Sequence, residues 1–236
     1  MYGLEGMKVF EDTCNYAKQK GMIVIADIKR GDIGTTAQSY SNAFLGETQI
    51  GEFSSKIYDV DFVTINPYMG IDSVKPFIED CKKYGKGAFV LAKTSNPSSG
   101  ELQDLMLDTK EKIYCHVASL IEKWGEDLIG EYGYSSISAV VGATYPEQLK
   151  ELRNIAKHTY FLIPGYGAQG GKAEDIALGF DSNGLGGLVN ASRSLMCAYK
   201  SDRWNKVFKE EEYAKATREE AIRMRDELNS AINVLN

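Results

Sequence analysis

The chain has 236 residues, of which 43% are hydrophobic and 25% are charged, values that exclude disordered and fibrous proteins. Its length suits one barrel domain of about 250 residues, although two small domains would also fit. Its net charge of −6 argues against a nucleic-acid-binding surface, so any phosphate group on a ligand has to be held by a local cluster of donors.

The cysteines and the hydropathy pattern bear on where the protein works. The four cysteines are widely spaced and form no CxxC pair, and the sequence shows no signal-peptide pattern. These features predict reduced thiols in a cytoplasmic protein. No apolar run approaches the ~20 residues that a bilayer-spanning helix needs, so we expect no membrane partner.

Short apolar runs alternate along the chain with longer amphipathic stretches, which is the pattern of strand–helix units that build a parallel sheet. The apolar runs are nearly continuous in hydrophobic character, as expected for barrel strands that are buried on both faces. In chain order, the six predicted strands are residues 22–27, 61–66, 88–94, 138–143, 160–164 and 187–191. The predicted helices are residues 4–20, 36–45, 73–84, 110–131, 146–157 and 213–234.

Three of the charged residues at the end of the first predicted strand and just beyond it are candidate site residues: Asp27, Lys29 and Asp32. Side chains alternate across a strand, so Asp27 and Lys29 should point to the same side, which in a barrel is the interior mouth. Burying a carboxylate and an ammonium where water is scarce costs several kcal/mol per ion, so the pattern favours a catalytic pair. Asp32 follows in the loop before the next predicted helix, where its side chain can reach a neighbouring residue. A structural ion pair with a helix-capping Asp32 is the alternative.

Two segments that follow the last two predicted strands are candidates for binding phosphate. Residues 164–171 read Pro-Gly-Tyr-Gly-Ala-Gln-Gly-Gly, and residues 190–194 read Asn-Ala-Ser-Arg-Ser. In many (β/α)₈ enzymes the loops after the final two strands form the phosphate site. Glycines let backbone N–H groups approach the oxygens, and Arg193 can offer a charged, bidentate fork. A turn that merely needs glycine at positive φ is the alternative for the first segment.

The remaining polar residues give weaker signals. Residues 94–97, Thr-Ser-Asn-Pro, offer two hydroxyls and an amide that could contact a polar ring edge, although an ordinary turn would use the same residues. Lys93 could form a Schiff base, but the charged residues at the first strand make this a minor alternative and we assign it no catalytic role. His116 and His158 have neither metal-ligand spacing nor the companions of a triad, so we predict no metal site.

Residues 27–34, Asp-Ile-Lys-Arg-Gly-Asp-Ile-Gly, resemble the DxKxxD motif of orotidine 5′-phosphate decarboxylases, in the longer bacterial form DxKRGDIG. Further segments resemble the same family in the same order, at successive predicted strand ends. These segments are residues 64–70, 94–97, 141–144, 164–171 and 190–193. The resemblance runs from about Tyr2 to the C-terminus, and several short motifs in the correct order are more specific than any one of them.

The resemblance implies a homodimeric TIM (β/α)₈ barrel that converts orotidine 5′-phosphate to UMP and CO₂ in pyrimidine biosynthesis, without a cofactor. In that family Lys29 would match the proton donor to C6, and Asp27 would match the carboxylate beside the departing group. Asp32 and Thr36 would match residues that cross the dimer interface to the ribose at the other site. The other implied substrate-binding residues are Ser95, which would contact the pyrimidine ring, Pro97, and, at the phosphate, Gln169, Ser192 and Arg193.

The number of strands departs from the family pattern. A complete barrel needs eight strands and the sequence shows six, so we expect a single barrel domain over residues 1–236 that lacks its first two strand–helix units. We therefore expect the 236 residues by themselves to be inactive and poorly folded, and roughly 50–60 upstream residues to restore both properties. Two rival functions stay open: a metal-dependent sugar-phosphate decarboxylase or epimerase on the same scaffold, and a non-enzymatic remnant that binds nucleotide or self-associates.

Overall fold

A curled parallel sheet forms the centre of the molecule, which a computed structural model describes at residues 2–167 and 170–234. The strands of this described part are β1 Ile25–Arg30, β2 Thr48–Ile50, β3 Phe53–Ser55, β4 Phe62–Ile65, β5 Gly87–Lys93, β6 Ser135–Val141, β7 Thr159–Pro164 and β8 Gly187–Asn190. Six of them form the parallel sheet in the order β1-β4-β5-β6-β7-β8, while β2 and β3 form a separate antiparallel hairpin. Each strand of the sheet therefore lies beside the next one in the chain, as in a (β/α) barrel.

Helices cover the outer face of the sheet. In the described residues they are α1 Gly3–Gln19, α2 Gly34–Phe44, α3 Ile71–Tyr84, α4 Gly100–Gln103, α5 Ile113–Trp124, α6 Pro146–Ile155, α7 Ala173–Ala177, α8 Arg193–Met196 and α9 Tyr213–Val234. Helix α3 ends where Gly85 adopts a left-handed backbone with φ of 65°, a conformation that favours glycine. Within residues 2–167 and 170–234, no helix combines the length and the apolar character that crossing a membrane requires.

The two faces of the sheet carry different side chains because residues alternate across a strand. On the outer face, Val63, Val90 and Phe161 are buried in the main hydrophobic core together with residues of the helices. On the inner face, Phe89 and Leu162 belong to a smaller buried cluster. Because this inner cluster fills the middle of the curled sheet, polar side chains are left at the ends of the strands.

All six predicted strands are present, parallel and in the predicted order, so the predicted barrel-type sheet is confirmed. Several boundaries differ from the predicted ones, among them those of β1, of β6, which begins at Ser135 rather than at residue 138, and of the helix predicted over residues 110–131. Strand β1 begins at Ile25 rather than at residue 22, and it continues through Arg30. The long helix predicted over residues 110–131 is the shorter α5, because the chain turns at Gly125 into a single 3₁₀ turn over Glu126–Leu128.

The hairpin of β2 and β3 was not predicted from the sequence. Its two short strands flank Gly51 and Glu52, and Gly51 has a φ of 61°. A glycine at positive φ between two short runs of β-favouring residues is a hairpin signal. The sequence contains the glycine, but each run is only three residues long, and a strand of three residues is too short to be recognised from the alternation of its side chains.

Candidate active site

A cavity of about 560 Å³ opens at the carboxyl ends of the parallel strands. This volume lies within the ~300–1,000 Å³ that is usual for small-molecule sites. Apolar side chains of the strands form its floor: Ile25, Leu91, Val140 and Leu162. Polar side chains lie around its rim: Asp27, Lys29, Thr64, Thr94, Ser95, Asn96, Asn190, Ser192 and Arg193. An apolar floor with a few polar groups above it can hold a flat ring and fix its orientation.

Asp27 and Lys29 form an ion pair at the β1 edge of the cavity. The Lys29 Nζ lies 2.5 Å from Asp27 Oδ1 and 2.6 Å from Oδ2. Thr64 of β4 contacts both residues, since its Oγ1 donates a hydrogen bond to Asp27 Oδ1 (2.8 Å) and accepts one from the Lys29 backbone N–H (2.9 Å). Thr64 lies in a segment of the family resemblance, but it was not selected as a site residue.

Regular alternation along a strand predicts that Asp27 and Lys29 share one side, but their contact arises instead from an irregular backbone. Lys29 has a left-handed backbone with φ of 47°, and the β1–β4 ladder shifts register between Ala26 and Arg30. The expected burial of the pair was also wrong, because the side chains of Lys29 and Asp27 are 50% and 62% exposed. Strand β1 is an edge strand of the described sheet, so this flank of the cavity is open to solvent.

Three predicted site residues do not line the cavity. Asp32 Oδ1 accepts a hydrogen bond from the Ile33 backbone N–H (2.8 Å), and α2 has no side-chain cap, so the helix-capping alternative for Asp32 is not observed. Thr36 is exposed in the first turn of α2. Pro97 is exposed too, at the start of a 3₁₀ turn, and does not line the cavity. A direct contact of Pro97 with a ligand in this cavity is therefore not supported.

Ser95 does line the cavity, at the end of the central strand β5. Its backbone is pressed closely against β6, since a Cβ built on Gly142 would lie 2.9 Å from the Ser95 Cα and N. Gly142 is thus the residue that lets the two chain segments approach. Thr144 Oγ1 also donates a long hydrogen bond (3.4 Å) to the Ser95 carbonyl.

The opposite edge of the cavity is formed by the segments after β7 and β8. Ser192 and Arg193 line it, together with Tyr166. Gln169 lies outside the described residues. Tyr166 is buried, and its hydroxyl donates a hydrogen bond to Glu227 Oε2 of α9 (2.8 Å). Burial first, and then this hydrogen bond, raise the pKa of Tyr166 well above its ordinary value, so the residue is a neutral anchor that ties this loop to the C-terminal helix.

The geometry brings charges of the chain to both edges of one cavity. The Asp27–Lys29 pair lies at the β1 edge, and Arg193 lies at the β8 edge, with Ser95, two residues beyond the end of β5, between them. His116 and His158 are engaged elsewhere, beside Glu111 and Glu122. Across residues 2–167 and 170–234, His, Cys, Asp and Glu form no group of three that is placed to hold a metal ion.

Comparison with known proteins identifies the family. Residues 2–202 match the model of the orotidine 5′-phosphate decarboxylase / HUMPS family. The chain belongs to this family. The orotidine 5′-phosphate decarboxylase of Caldicellulosiruptor bescii is 48% identical over 200 residues, covering 85% of this chain and 65% of the relative. That of Clostridium tetani is 44% identical over 232 residues, covering 98% of this chain and 75% of the relative.

The fold of this decarboxylase-family chain agrees with a solved structure. The OMP decarboxylase of Leishmania donovani superposes with a TM-score of 0.72 at 30% identity, covering 98% of this chain and 76% of that one. The predicted family and the predicted barrel class are both confirmed. The chain spans about 65% of the length of the first curated relatives that it matches.

Proposed function

We propose that this chain decarboxylates orotidine 5′-phosphate to UMP and CO₂ in pyrimidine biosynthesis, as a carbon–carbon lyase that needs neither cofactor nor metal. The observation that carries the proposal is the arrangement of one cavity, with an Asp27–Lys29 ion pair at one edge and Arg193 at the other. A nucleotide that carries a reactive carboxylate on its ring and a phosphate on its ribose needs these two kinds of group at opposite ends. The family membership supports the same reaction.

In the proposed reaction the bond between C6 and the carboxylate carbon breaks, CO₂ leaves, and the electron pair stays on C6. Lys29 then transfers a proton from its ammonium to C6, which gives UMP. Asp27 holds the ammonium in place through both of its carboxylate oxygens. Its negative charge also lies where the substrate carboxylate would be, so the fixed charges fit the transition state better than the ground state.

The other residues at the rim of the cavity would bind the parts of the substrate that lie away from the reacting carboxylate. We assign Ser95 to the pyrimidine ring, and Ser192 and Arg193, with Gln169, to the phosphate. Arg193 suits this role because a guanidinium can bind two phosphate oxygens at once. Binding energy from the phosphate would then lower the barrier at C6 rather than only tighten the complex.

We propose that the protein is a homodimer with its two active sites at the interface between the subunits. Asp32 and Thr36 would reach the ribose bound by the partner subunit, which agrees with their position outside the cavity of their own chain. Large apolar side chains in this region are exposed, namely Ile33 (53%) and Met69 (42%), whose Cε would lie 3.8 Å from a Cβ built on Gly31. We also propose that the protein is a single barrel domain in the cytoplasm and that it binds neither nucleic acid nor a membrane.

Formation of UMP from orotidine 5′-phosphate by the purified natural protein that contains this chain, with a chelator present, tests the proposed function. We expect activity that the chelator does not change. Loss of activity with the chelator would favour the metal-dependent alternative. Tight binding of UMP without any release of CO₂ would favour the alternative of a nucleotide-binding protein that has no catalytic activity.

A further inference from the structure

Lys93, the last residue of β5, is a buried charged residue that the proposed reaction does not use. Its side chain is completely buried. Burying an ammonium is strongly unfavourable unless other groups of the protein compensate for the lost water. The groups that contact the Lys93 ammonium therefore indicate the role of its charge.

The ammonium of Lys93 lies on the helix side of the sheet, away from the cavity. Regular alternation would place Lys93 on the same face as Leu91, which lines the cavity floor. The β5–β6 ladder shifts register between these two residues, and the Lys93 Nζ lies 5.5 Å from the ring centre of Tyr114 in α5 and 5.0 Å from that of Tyr145. A Schiff-base role in the cavity is thus not supported.

Two hydrogen bonds connect Lys93 to the chain segment that follows it. Its Nζ donates to Ser99 Oγ (3.1 Å), which is buried, and to Asp104 Oδ1 (2.9 Å). Ser99 and Asp104 lie 6 and 11 residues further along the chain. One buried ammonium therefore ties the distant part of the segment back to the end of its own strand.

Gln103 closes the same segment from the other side. Its Oε1 accepts a hydrogen bond from the Thr94 backbone N–H (2.9 Å), and its Nε2 donates to Thr94 Oγ1 (2.8 Å). Residues 94–104, which we call the β5 loop, are thus fastened at both ends. Thr94, Ser95 and Asn96 at the start of this loop line the cavity.

We propose that Lys93 is a positioning residue: through Ser99 and Asp104, its ammonium holds the β5 loop so that Ser95 faces the pyrimidine ring of the ligand. An apolar residue could fill the same volume, but it could not bind both oxygens. The ion pair therefore selects one conformation of the loop, a role that buried polar networks can have. The role of Ser95 rests on the proposed function, whereas the fastening of the loop does not.

Hydrogen exchange of the ligand-free chain tests the fastening alone. Lys93→Met keeps the apolar stem and removes the ammonium, so we expect backbone amides of the β5 loop, above all Thr94, to exchange at least about tenfold faster. Amides of β6 should keep their rates. Lys86→Met is the matched control, because Lys86 is also a nearly buried lysine, 3.0 Å from Asp59, but lies at the other end of the sheet. Unchanged exchange in the β5 loop would overturn the proposal.

Ligand binding tests the effect on Ser95. We expect Lys93→Met to weaken UMP binding about tenfold and to change binding of ribose 5-phosphate, which lacks the ring, less than about twofold. In a chain that already carries Ser95→Ala, Lys93→Met should add less than about twofold for UMP. Equal losses for both ligands, or fully additive losses with Ser95→Ala, would show that Lys93 acts only through overall stability and would refute the positioning role.

Asp104→Asn provides the same test if Lys93→Met fails to fold. Its side chain is 34% exposed, so the change is tolerable, and it weakens the contact to the Lys93 ammonium without removing the buried charge. The same pattern of loop exchange and ring-specific loss is expected, and its absence would refute the proposal. If the unmodified chain binds neither UMP nor ribose 5-phosphate, the proposed function fails, while the exchange result still decides whether Lys93 fastens the loop.

Discussion

Lys29 has a left-handed backbone although it is not a glycine, and such a conformation costs of order 1–3 kcal/mol. The surrounding structure has to hold it, and Thr64 is placed to do so. One hydroxyl accepts the Lys29 N–H and donates to the Asp27 carboxylate, so Thr64 fixes both the backbone and the ion pair. At the residue scale, the geometry of the Asp27–Lys29 pair therefore depends on Thr64, a neutral side chain of the next strand of the sheet.

Replacing Thr64 by valine should slow the reaction more than it weakens binding. Thr64→Val keeps the shape of the side chain but removes both hydrogen bonds, so we expect kcat to fall about tenfold or more while the Kd for UMP changes less than about threefold. Thr64→Ser keeps the hydroxyl and should stay close to the unmodified chain. Equal losses in the two variants, measured by steady-state kinetics, would mean that the methyl group matters and not the hydroxyl.

Arg193 should act on phosphate-bearing substrate alone. Loss of a charged hydrogen bond of about 1.5–3 kcal/mol predicts that Arg193→Ala lowers kcat/KM for orotidine 5′-phosphate roughly 10–100-fold. The value for orotidine, which has no phosphate, should hardly change. Arg225→Ala on exposed α9 surface is the control. If both substrates suffer equally, Arg193 acts through the fold and its assignment to the phosphate is wrong.

At the scale of elements, an ionic cluster joins α1 to the amino-terminal ends of β4 and β5. Asp59 Oδ2 lies 2.6 Å from Lys18 Nζ of α1, and its Oδ1 lies 3.0 Å from Lys86 Nζ. Burial alone would raise the pKa of Asp59, but the hydrogen bonds and charges of Lys18 and Lys86 outweigh it and lower the pKa from 3.8 to about 2. The cluster therefore contributes to stability only while Asp59 is ionised.

This depressed pKa predicts a specific acid sensitivity. Because the folded-state pKa lies below the unfolded one, the contribution of Asp59 is present above about pH 4 and is lost as the pH falls towards about 2. Asp59→Asn should therefore show a smaller drop in the free energy of unfolding between pH 4 and pH 2 than the unmodified chain. Asparagine tolerates the positive φ of 45° at this position. Denaturant unfolding at several pH values checks this.

The control for that comparison is Asp12→Asn, which changes an exposed carboxylate on α1 that pairs with nearby Lys8. It should follow the pH dependence of the unmodified chain. An Asp59→Asn variant with an equally steep acid transition would show that other carboxylates dominate, and that the cluster has no stabilising effect in this pH range.

The sequence predicted those parts of the fold that depend on local pattern. The order of the six strands follows from their continuous apolar character, and the positions of Ser95 and Arg193 follow from their place after a strand. The left-handed backbone at Lys29 and the outward turn of Lys93 could not be predicted in this way. Each depends on a register shift against a neighbouring strand, which is a property of the packed sheet and not of the local sequence.

At the scale of the whole molecule, an active site built from two subunits would allow two inactive variants to restore activity when they are mixed. If Lys29 of one subunit works with Asp32 of the other, Lys29→Ala and Asp32→Ala should each be inactive as homodimers. When the two variants are mixed in equal amounts and exchange subunits, half of the dimers contain one chain of each kind. Each of these dimers has one intact site out of two, so about a quarter of the full activity should return. Mixtures that stay inactive although subunits exchange would place Asp32 outside the shared site.

The central claim is that Lys29 gives a proton to C6 after CO₂ leaves, and UMP formation by Lys29→Ala, together with the position of deuterium in the product, tests it most directly. Orotidine 5′-phosphate is incubated with the chain in D₂O, and the UMP is examined by NMR. We predict one deuterium at C6 of each UMP formed, and for Lys29→Ala a loss of UMP formation by several powers of ten with UMP binding retained. Turnover by Lys29→Ala within tenfold of the unmodified chain, or UMP formed without deuterium at C6, would contradict the account.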